Sequence, residues 1–128
     1  MTGKSGVYIG ASAAELEESG GVDKAAGLIS QKALFHRRGP ITLAGDALVL
    51  SDWGDGGDLV LRRTDIAAVE RKYTDLYGRF IGGLLDSGKP LILNTAPAGV
   101  IYLLIDRKEF LESTRNKEWG SAITQWLG

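Results

Sequence analysis

Seven basic side chains lie between residues 37 and 79, and guanidinium and ammonium groups are the chemistry that binds phosphates and anionic lipid headgroups. They are Arg37, Arg38, Arg62, Arg63, Arg71, Lys72 and Arg79. Six of them form three adjacent pairs, and adjacent residues of a strand point to opposite faces of a sheet. Each pair therefore gives only one side chain to any single patch. Solvated outward positions and edge-strand charges are the simpler explanation.

The candidate binding residues are Arg37, Arg38, Arg71, Lys72, Arg79 and Phe80. If the basic members form one patch, it would hold an anionic headgroup while Phe80 and the following Ile81 insert shallowly into a membrane. The same two apolar residues suit the core or a subunit contact better. The pattern indicates a binding surface and leaves its ligand open.

A second group of polar residues, Asp52, Asp55 and Asp58, lies in a glycine-rich stretch and raises the question of calcium. An EF-hand loop needs oxygen ligands at alternate positions and a distal glutamate, whereas these aspartates fall at every third residue. Asp-Gly and Gly-Gly pairs are typical of hairpin loops. We predict a hairpin here and no metal site.

Side chains for catalysis are few. The chain has no cysteine and one histidine, His36, which stands between Phe35 and Arg37. No serine lies in a Gly-x-Ser-x-Gly elbow, so neither a thiol nor a serine relay is indicated. We expect a protein that is not an enzyme, with no catalytic residue and no cofactor.

Composition limits the class of protein. A length of 128 residues suits one domain, and 15 basic against 16 acidic residues argue against a dedicated nucleic-acid binder. The absence of cysteine is compatible with a reducing compartment. Neither a signal peptide nor an apolar run of the roughly 20 residues that span a membrane is visible. The expected location is the cytoplasm, with a peripheral position at the membrane left open.

The elements that position these residues are short apolar strands separated by turn residues, a pattern typical of an antiparallel barrel or sandwich. The predicted strands are Leu28–Phe35, Ile41–Leu43, Ala47–Leu50, Leu59–Arg63, Ile66–Tyr73, Leu91–Leu93 and Val100–Ile105. The chain closes with a helix whose apolar residues follow an i, i+3, i+4, i+7, i+8 spacing from Trp119 to Leu127. Asn116 is its predicted N-cap. Two tryptophans on one stripe require that this helix docks on the sheet.

Residues 1–27 are rich in glycine, alanine, serine and glutamate, and we predict an N-terminal extension that is partly helical. Ser12 and Glu15 have the spacing of a capping box, which predicts a short helix through Glu18. The remaining residues, 28–128, form the predicted domain.

The order of elements resembles that of the pleckstrin-homology-like (PH-like) superfold, and specifically its bacterial PH-like and GRAM-type members. The segments that carry the resemblance are 39–43, 47–50, 59–61, 65–69, 88–93 and 119–126. The resemblance implies two near-orthogonal antiparallel sheets forming a barrel or roll, closed at one end by the C-terminal amphipathic helix.

Members of this superfold bind anionic lipids, bind peptides or serve as assembly modules, so the fold alone does not choose among them. Lipid-binding members carry a basic run across the first hairpin. Lys32, Arg37 and Arg38 lie near that place, but their spacing departs from the usual pattern. We therefore expect a non-enzymatic binding or adaptor module that engages a protein partner or an anionic membrane surface. The alternatives are a homo-oligomerising structural module, and a barrel that holds a small ligand or acts as an enzyme.

Overall fold

The computed structural model describes residues 3–19, 35–55, 57–72, 74, 89–107 and 114–128. Seven strands run in chain order: β1 Lys4–Ser12, β2 Arg37–Ala44, β3 Ala47–Gly54, β4 Gly57–Arg62, β5 Ile66–Arg71, β6 Leu91–Thr95 and β7 Gly99–Ile105. The helices are α1 Ala13–Ser19 and α2 Asn116–Leu127, and a 3-10 turn, Arg63–Asp65, joins β4 to β5. The predicted strand at 28–35 lies largely outside the described residues.

All seven strands are antiparallel and form one sheet in the order β4-β3-β2-β1-β7-β6-β5. The protein is mainly β, and the sheet curls into a half-barrel with the C-terminal helix against it. The sequence predicted two sheets, whereas the described strands form a continuous one. The reason is that β1 pairs with β2 along one side and with β7 along the other.

The inner face of the sheet carries the main core. Its buried side chains come from all seven strands and from α2, among them Tyr8, Leu50, Leu103, Trp119 and Ile123. The predicted helix face is confirmed, because Trp119 and Ile123 are buried and Ala122, Trp126 and Leu127 pack partly buried against the same core. Burial of Trp119 and partial burial of Trp126 supply hydrophobic free energy that holds α2 against the sheet.

A second, smaller core lies on the outer face of β1, β6 and β7. Leu16 of α1 and Phe35 are fully buried there against Tyr102 and Leu104. The helix begins as predicted: the Ser12 backbone N–H donates to Glu15 Oε1 at 2.8 Å, and the Glu15 N–H donates to Ser12 Oγ at 3.1 Å. This reciprocal pair is a capping box.

The N-terminal residues differ from the prediction of an extension, because Lys4–Ser12 form the strand at the centre of the sheet. The inward positions of β1 include Gly6 and Gly10, so the strand lacks the apolar alternation by which strands are found. At both glycines, side chains from other parts of the chain lie close to the backbone. A Cβ on Gly6 would come 2.7 Å from Asp106 Oδ1, and one on Gly10 would come 2.9 Å from Trp53.

Asn116 also differs from its predicted role. Arg115 occupies the N-cap position of α2, and the Asn116 side chain is buried between the helix and the sheet. Its Oδ1 accepts the Ile105 N–H at 2.9 Å, and its Nδ2 donates to the carbonyls of Lys89 at 2.8 Å and Leu103 at 3.0 Å. One amide thereby satisfies three backbone groups, two near the end of β7 and one just before β6.

Candidate binding surfaces

The first candidate surface is a group of side chains that we name the Arg37 cluster, formed by Tyr8, Glu15, His36, Arg37 and Trp53. Arg37, the first residue of β2, donates to Glu15 Oε1 at 2.9 Å and to Glu15 Oε2 at 2.8 Å. The third nitrogen of its guanidinium, Nη1, donates to the Trp53 carbonyl, and the guanidinium lies 4.9 Å from the centre of the Trp53 ring. Bidentate pairing combined with ring stacking is the strongest way to fix an arginine.

Glu15 balances the charge of this cluster. Burial alone would raise the pKa of its carboxyl group, but the hydrogen bonds from Arg37 and from the Ser12 backbone outweigh it and lower the pKa to about 2. His36 Nε2 lies 3.1 Å from Glu15 Oε2. Because Arg37 is already paired with a carboxylate, binding of an external anion to it would require breaking a half-buried ion pair, which is costly.

Trp53 is held between Arg37 and the inner face of the sheet. Its ring stacks on Tyr8 with centroids 6.0 Å apart and planes at 30°. The Tyr8 hydroxyl donates to the Ser51 carbonyl at 2.8 Å, and burial, followed by the nearby charge of Asp52, raises the pKa of Tyr8 to about 12. Beside the cluster is an open depression of about 600 Å³ that is lined by His36, Arg37, Arg38, Asp52, Trp53, Gly54 and Asp55. Its lining mixes both signs of charge, which favours no single class of ion.

The two adjacent arginines of β2 point to opposite faces, as the sequence predicted. Arg37 pairs with Gly10 on the inner face, and Arg38 pairs with Ile9 on the outer face. Arg38 is exposed there. Only Arg37 belongs to the cluster.

The structure separates Arg37 from Arg71 and Lys72. One cross-strand row runs from Arg37 through Gly10, Leu103 and Leu91 to Arg71. Four strand spacings of about 4.8 Å place the two arginines about 19 Å apart along the sheet. Lys72 Nζ lies 3.0 Å from Glu70 Oε2, so its charge is also balanced locally. Arg79 and Phe80 lie outside the described residues.

Arg63 connects the C-terminal end of α2 to the sheet. Its Nε donates to the Trp126 carbonyl at 2.7 Å, its guanidinium lies 4.7 Å from the centre of the Trp126 ring, and its Nη1 lies 3.3 Å from Asp46 Oδ1. Trp126 Nε1 in turn donates to the Gly45 carbonyl at 2.9 Å. A cation at the carbonyl end of α2 also suits the helix dipole, so this arginine fixes the helix to the β2–β3 turn.

The second candidate surface, the β5–α2 groove, has a volume of about 490 Å³. It runs along β5 and is lined by Val69, Glu70, Arg71, Leu91, Lys117, Gly120, Ser121, Thr124 and Gln125. Among the described strands, β5 pairs with β6 alone, so one edge of β5 lies open beside the groove. Exposed backbone groups of an edge strand are ready to pair with another chain.

Arg71, a candidate binding residue from the sequence, lines this groove, whereas the lining residues of α2 were not among the candidates. Ser121, Thr124 and Gln125 look like an ordinary solvated helix face, and only the fold shows that they stand opposite an edge strand. One signal was present in β5 itself: Ala67 and Ala68 are exposed and small. An edge strand usually carries charges at such positions to prevent pairing, and β5 has none there.

No group of acidic or histidine side chains among the described residues is arranged to hold a metal ion. Within the same residues, no helix combines the length and apolar character that crossing a membrane requires. No protein-family model matches the chain, and no curated protein matches it either.

Proposed function

We propose that the chain is a non-enzymatic binding module of the PH-like type, which takes up an extended segment of a partner protein along the open edge of β5. One observation carries this proposal: the edge of β5 that does not face β6 opens onto the β5–α2 groove. An extended peptide placed there would continue the sheet as an eighth strand through backbone hydrogen bonds, and its alternate side chains would enter the groove.

The order of the strands supports the PH-like assignment. β1 to β4 are neighbours in sequence and in the sheet, β5 to β7 form a second consecutive run, and the C-terminal helix packs on the inner face. The packing of this helix on the sheet is what the resemblance implies, whereas the single continuous sheet differs from the two near-orthogonal sheets that it implies. The filled inner core argues against the alternative of a small ligand held inside the barrel, since Tyr8, Leu103 and Trp119 are fully buried there.

The lining of the groove defines the partner. Val69 and Leu91 give it an apolar floor, and Gly120 lets the helix approach, because a Cβ there would lie 3.3 Å from Leu91 Cδ1. Lys117 contributes positive charge, while Glu70 lies against Lys72. The preferred segment therefore alternates apolar side chains with acidic ones. Specificity comes from these side chains, and much of the affinity comes from the backbone.

The described basic residues favour this function over a membrane surface. Arg37, Arg63 and Lys72 each lie against a carboxylate, and Arg37 and Arg38 face opposite sides of the sheet. Attraction to an anionic membrane grows with the number of basic side chains presented together, by about 1 kcal/mol for each. The basic side chains named here are divided between two faces of the sheet and several ion pairs, so they provide little attraction to such a membrane.

The test is selection of displayed random peptides on the full chain, followed by affinity measurement with the two matched variants Ser121→Arg and Ser5→Arg. Both serines are exposed, but Ser121 lines the groove and Ser5 lies on the outer face of β1. We expect selected peptides to bind at least about tenfold more weakly to the Ser121 variant, a loss of about 1.4 kcal/mol, and to bind the Ser5 variant normally.

Strand addition has a further signature. N-methylation of a selected peptide at alternate residues removes every second backbone donor, so one of the two alternate series should abolish binding while the other is tolerated. Peptides that bind the Ser121 variant as well as the parent chain, or a selection that enriches none, would overturn the proposal. If anionic vesicles bind the chain and Ser121→Arg leaves that binding unchanged, the membrane function replaces it.

A further inference from the structure

Within the described residues, β4 forms the second edge of the sheet. Among the described strands, β4 pairs with β3 alone, through Leu61 with Leu48, Val60 with Val49 and Leu59 with Leu50. Val60 is 46% exposed and is one of the two exposed large apolar side chains of the described residues, the other being Val7 at 60%. An apolar residue at the middle of an open edge is a site for strand pairing.

The sequence of β4 is symmetric about Val60. It reads Asp58-Leu59-Val60-Leu61-Arg62, with leucines on both sides of the valine and opposite charges at the two ends. If two copies of β4 run antiparallel about a two-fold axis at Val60, Asp58 of each copy lies opposite Arg62 of the other. Leu59 then lies opposite Leu61.

The faces of the sheet agree with this register. Leu59 and Leu61 lie on the inner face with the main core, so Asp58, Val60 and Arg62 lie on the outer face. Directly opposite residues of paired strands share a face, so each Asp58–Arg62 pair and the central Val60 pair meet on the outer face. Asp58 Oδ1 accepts the Asp52 N–H at 3.0 Å, which positions the carboxylate before any partner arrives.

We propose that the partner of the β4 edge is a second copy of this chain, which forms a two-fold dimer with one continuous sheet across both subunits. The charge pattern selects this occupant, because the edge is complementary to itself. β5 lacks this symmetry, because its two charged residues, Glu70 and Arg71, are adjacent at one end of the strand. The two edges therefore have different partners, and the inference does not depend on the peptide-binding function.

The test is the molar mass of the full chain in solution, measured by sedimentation equilibrium or light scattering over a concentration series. We expect a monomer–dimer equilibrium. The variant Asp58→Arg places an arginine of each copy opposite Arg62 of the other, and Arg62→Asp places an aspartate of each copy opposite Asp58 of the other. Each variant alone should dimerise about tenfold or more weakly, because both cross-strand pairs become repulsive.

Mixing the two variants restores complementarity, since each copy then meets a partner of opposite charge at both positions. We expect the equimolar mixture to form a heterodimer, and the doubly exchanged chain Asp58→Arg/Arg62→Asp to form a homodimer. Rescue on mixing cannot arise from misfolding of either variant. Asp58→Asn keeps an acceptor for the Asp52 N–H, so we expect this second variant to fold as the parent does and to dimerise more weakly, because the cross-strand charge pairs are lost.

Two controls separate this interface from other surfaces. Val7→Asp removes the other exposed valine, and Ser121→Arg blocks the β5–α2 groove; both should leave the dimer unchanged. A chain that stays monomeric throughout the concentration series would overturn the proposal. A dimer that tolerates both charge reversals, or a mixture that fails to associate, would overturn it as well.

Discussion

Glu15 and Arg37 are joined by two parallel hydrogen bonds, of 2.9 and 2.8 Å, which connect α1 to the first residue of β2. The pair links the outer layer of the protein to the inner rim, where Arg37 stacks on Trp53. An arginine that looks like an anion-binding residue in the sequence is thereby a structural one. We therefore expect the free energy of unfolding to depend on whether Glu15 is ionised.

The first prediction concerns acid. The carboxyl group of Glu15 has a pKa of about 2 in the folded protein and an ordinary value of 4.5, so its contribution to stability is complete above pH 4.5 and is lost as the pH falls toward 2. We expect Glu15→Gln to lower the free energy of unfolding at pH 7 by about 2 kcal/mol. The variant should also lose less stability than the parent between pH 4.5 and 2. Urea unfolding at several pH values measures both.

The matched control is Glu17→Gln, an exposed residue of the same helix. It should leave the free energy of unfolding within about 0.5 kcal/mol of the parent value. Equal acid sensitivity of the Glu15 variant and the parent would show that the pair contributes nothing to folding.

The second prediction concerns Asn116. Asn116→Ala leaves the Ile105 N–H and the carbonyls of Lys89 and Leu103 without the partner they have now, at a position that is buried. Unsatisfied buried groups make such a change costly, and we expect a loss of about 3 kcal/mol in the free energy of unfolding. Thermal unfolding measures it. Asn94→Ala, which changes an exposed asparagine of β6, should change stability by less than about 0.5 kcal/mol.

The third prediction concerns the position of Trp53. Gly10→Ala introduces a Cβ 2.9 Å from both Leu103 Cδ2 and Trp53 Cζ3 and 3.2 Å from the Tyr102 carbonyl. The ring must move away from the sheet, so we expect a loss of about 1–3 kcal/mol and an altered tryptophan signal in the near-ultraviolet circular dichroism spectrum. Gly54→Ala, where a Cβ meets nothing within 4 Å, should change neither.

The fourth prediction separates the two classes of ligand. In co-sedimentation at physiological salt, the chain should stay in the supernatant with both neutral and anionic vesicles, because Arg37, Arg63 and Lys72 lie against carboxylates. Pelleting with anionic vesicles alone, weakened by salt and reduced in Arg38→Glu, would contradict this expectation.

The strands that were predicted correctly share one property. Ile41, Leu48, Leu61 and Leu93 each belong to a short, mostly apolar segment bounded by turn residues, and all four are buried. The spacing of Trp119 and Ile123 predicted the inner face of α2 for the same reason. Elements with a local pattern of their own were predictable from the sequence.

The remaining features depend on long-range contacts. β1 was not predicted because two of its inward positions are glycines, Gly6 and Gly10. A larger residue there would clash with Asp106, Leu103 or Trp53, which lie far away in sequence. β3 continues to Gly54 past a register shift, with Asp52 at a φ of 59°, where composition predicted a loop from Ser51. The β5–α2 groove was not predictable, because nothing local in Ser121 or Thr124 shows that they stand opposite an edge strand.

The place of β1 also determines when the protein can fold. It leaves the ribosome before the other strands, yet one of its neighbours is β7, and the bond from the Val7 N–H to Asp106 Oδ1 spans 99 positions. Contacts of such separation delay folding, because most of the chain has to be ordered before they form. Until β7 has been synthesised, the nascent sheet holds an unpaired edge at its centre. The complete sheet can therefore form only once β7 has been made, and until then the unpaired edge of β1 is open to pairing with other chains.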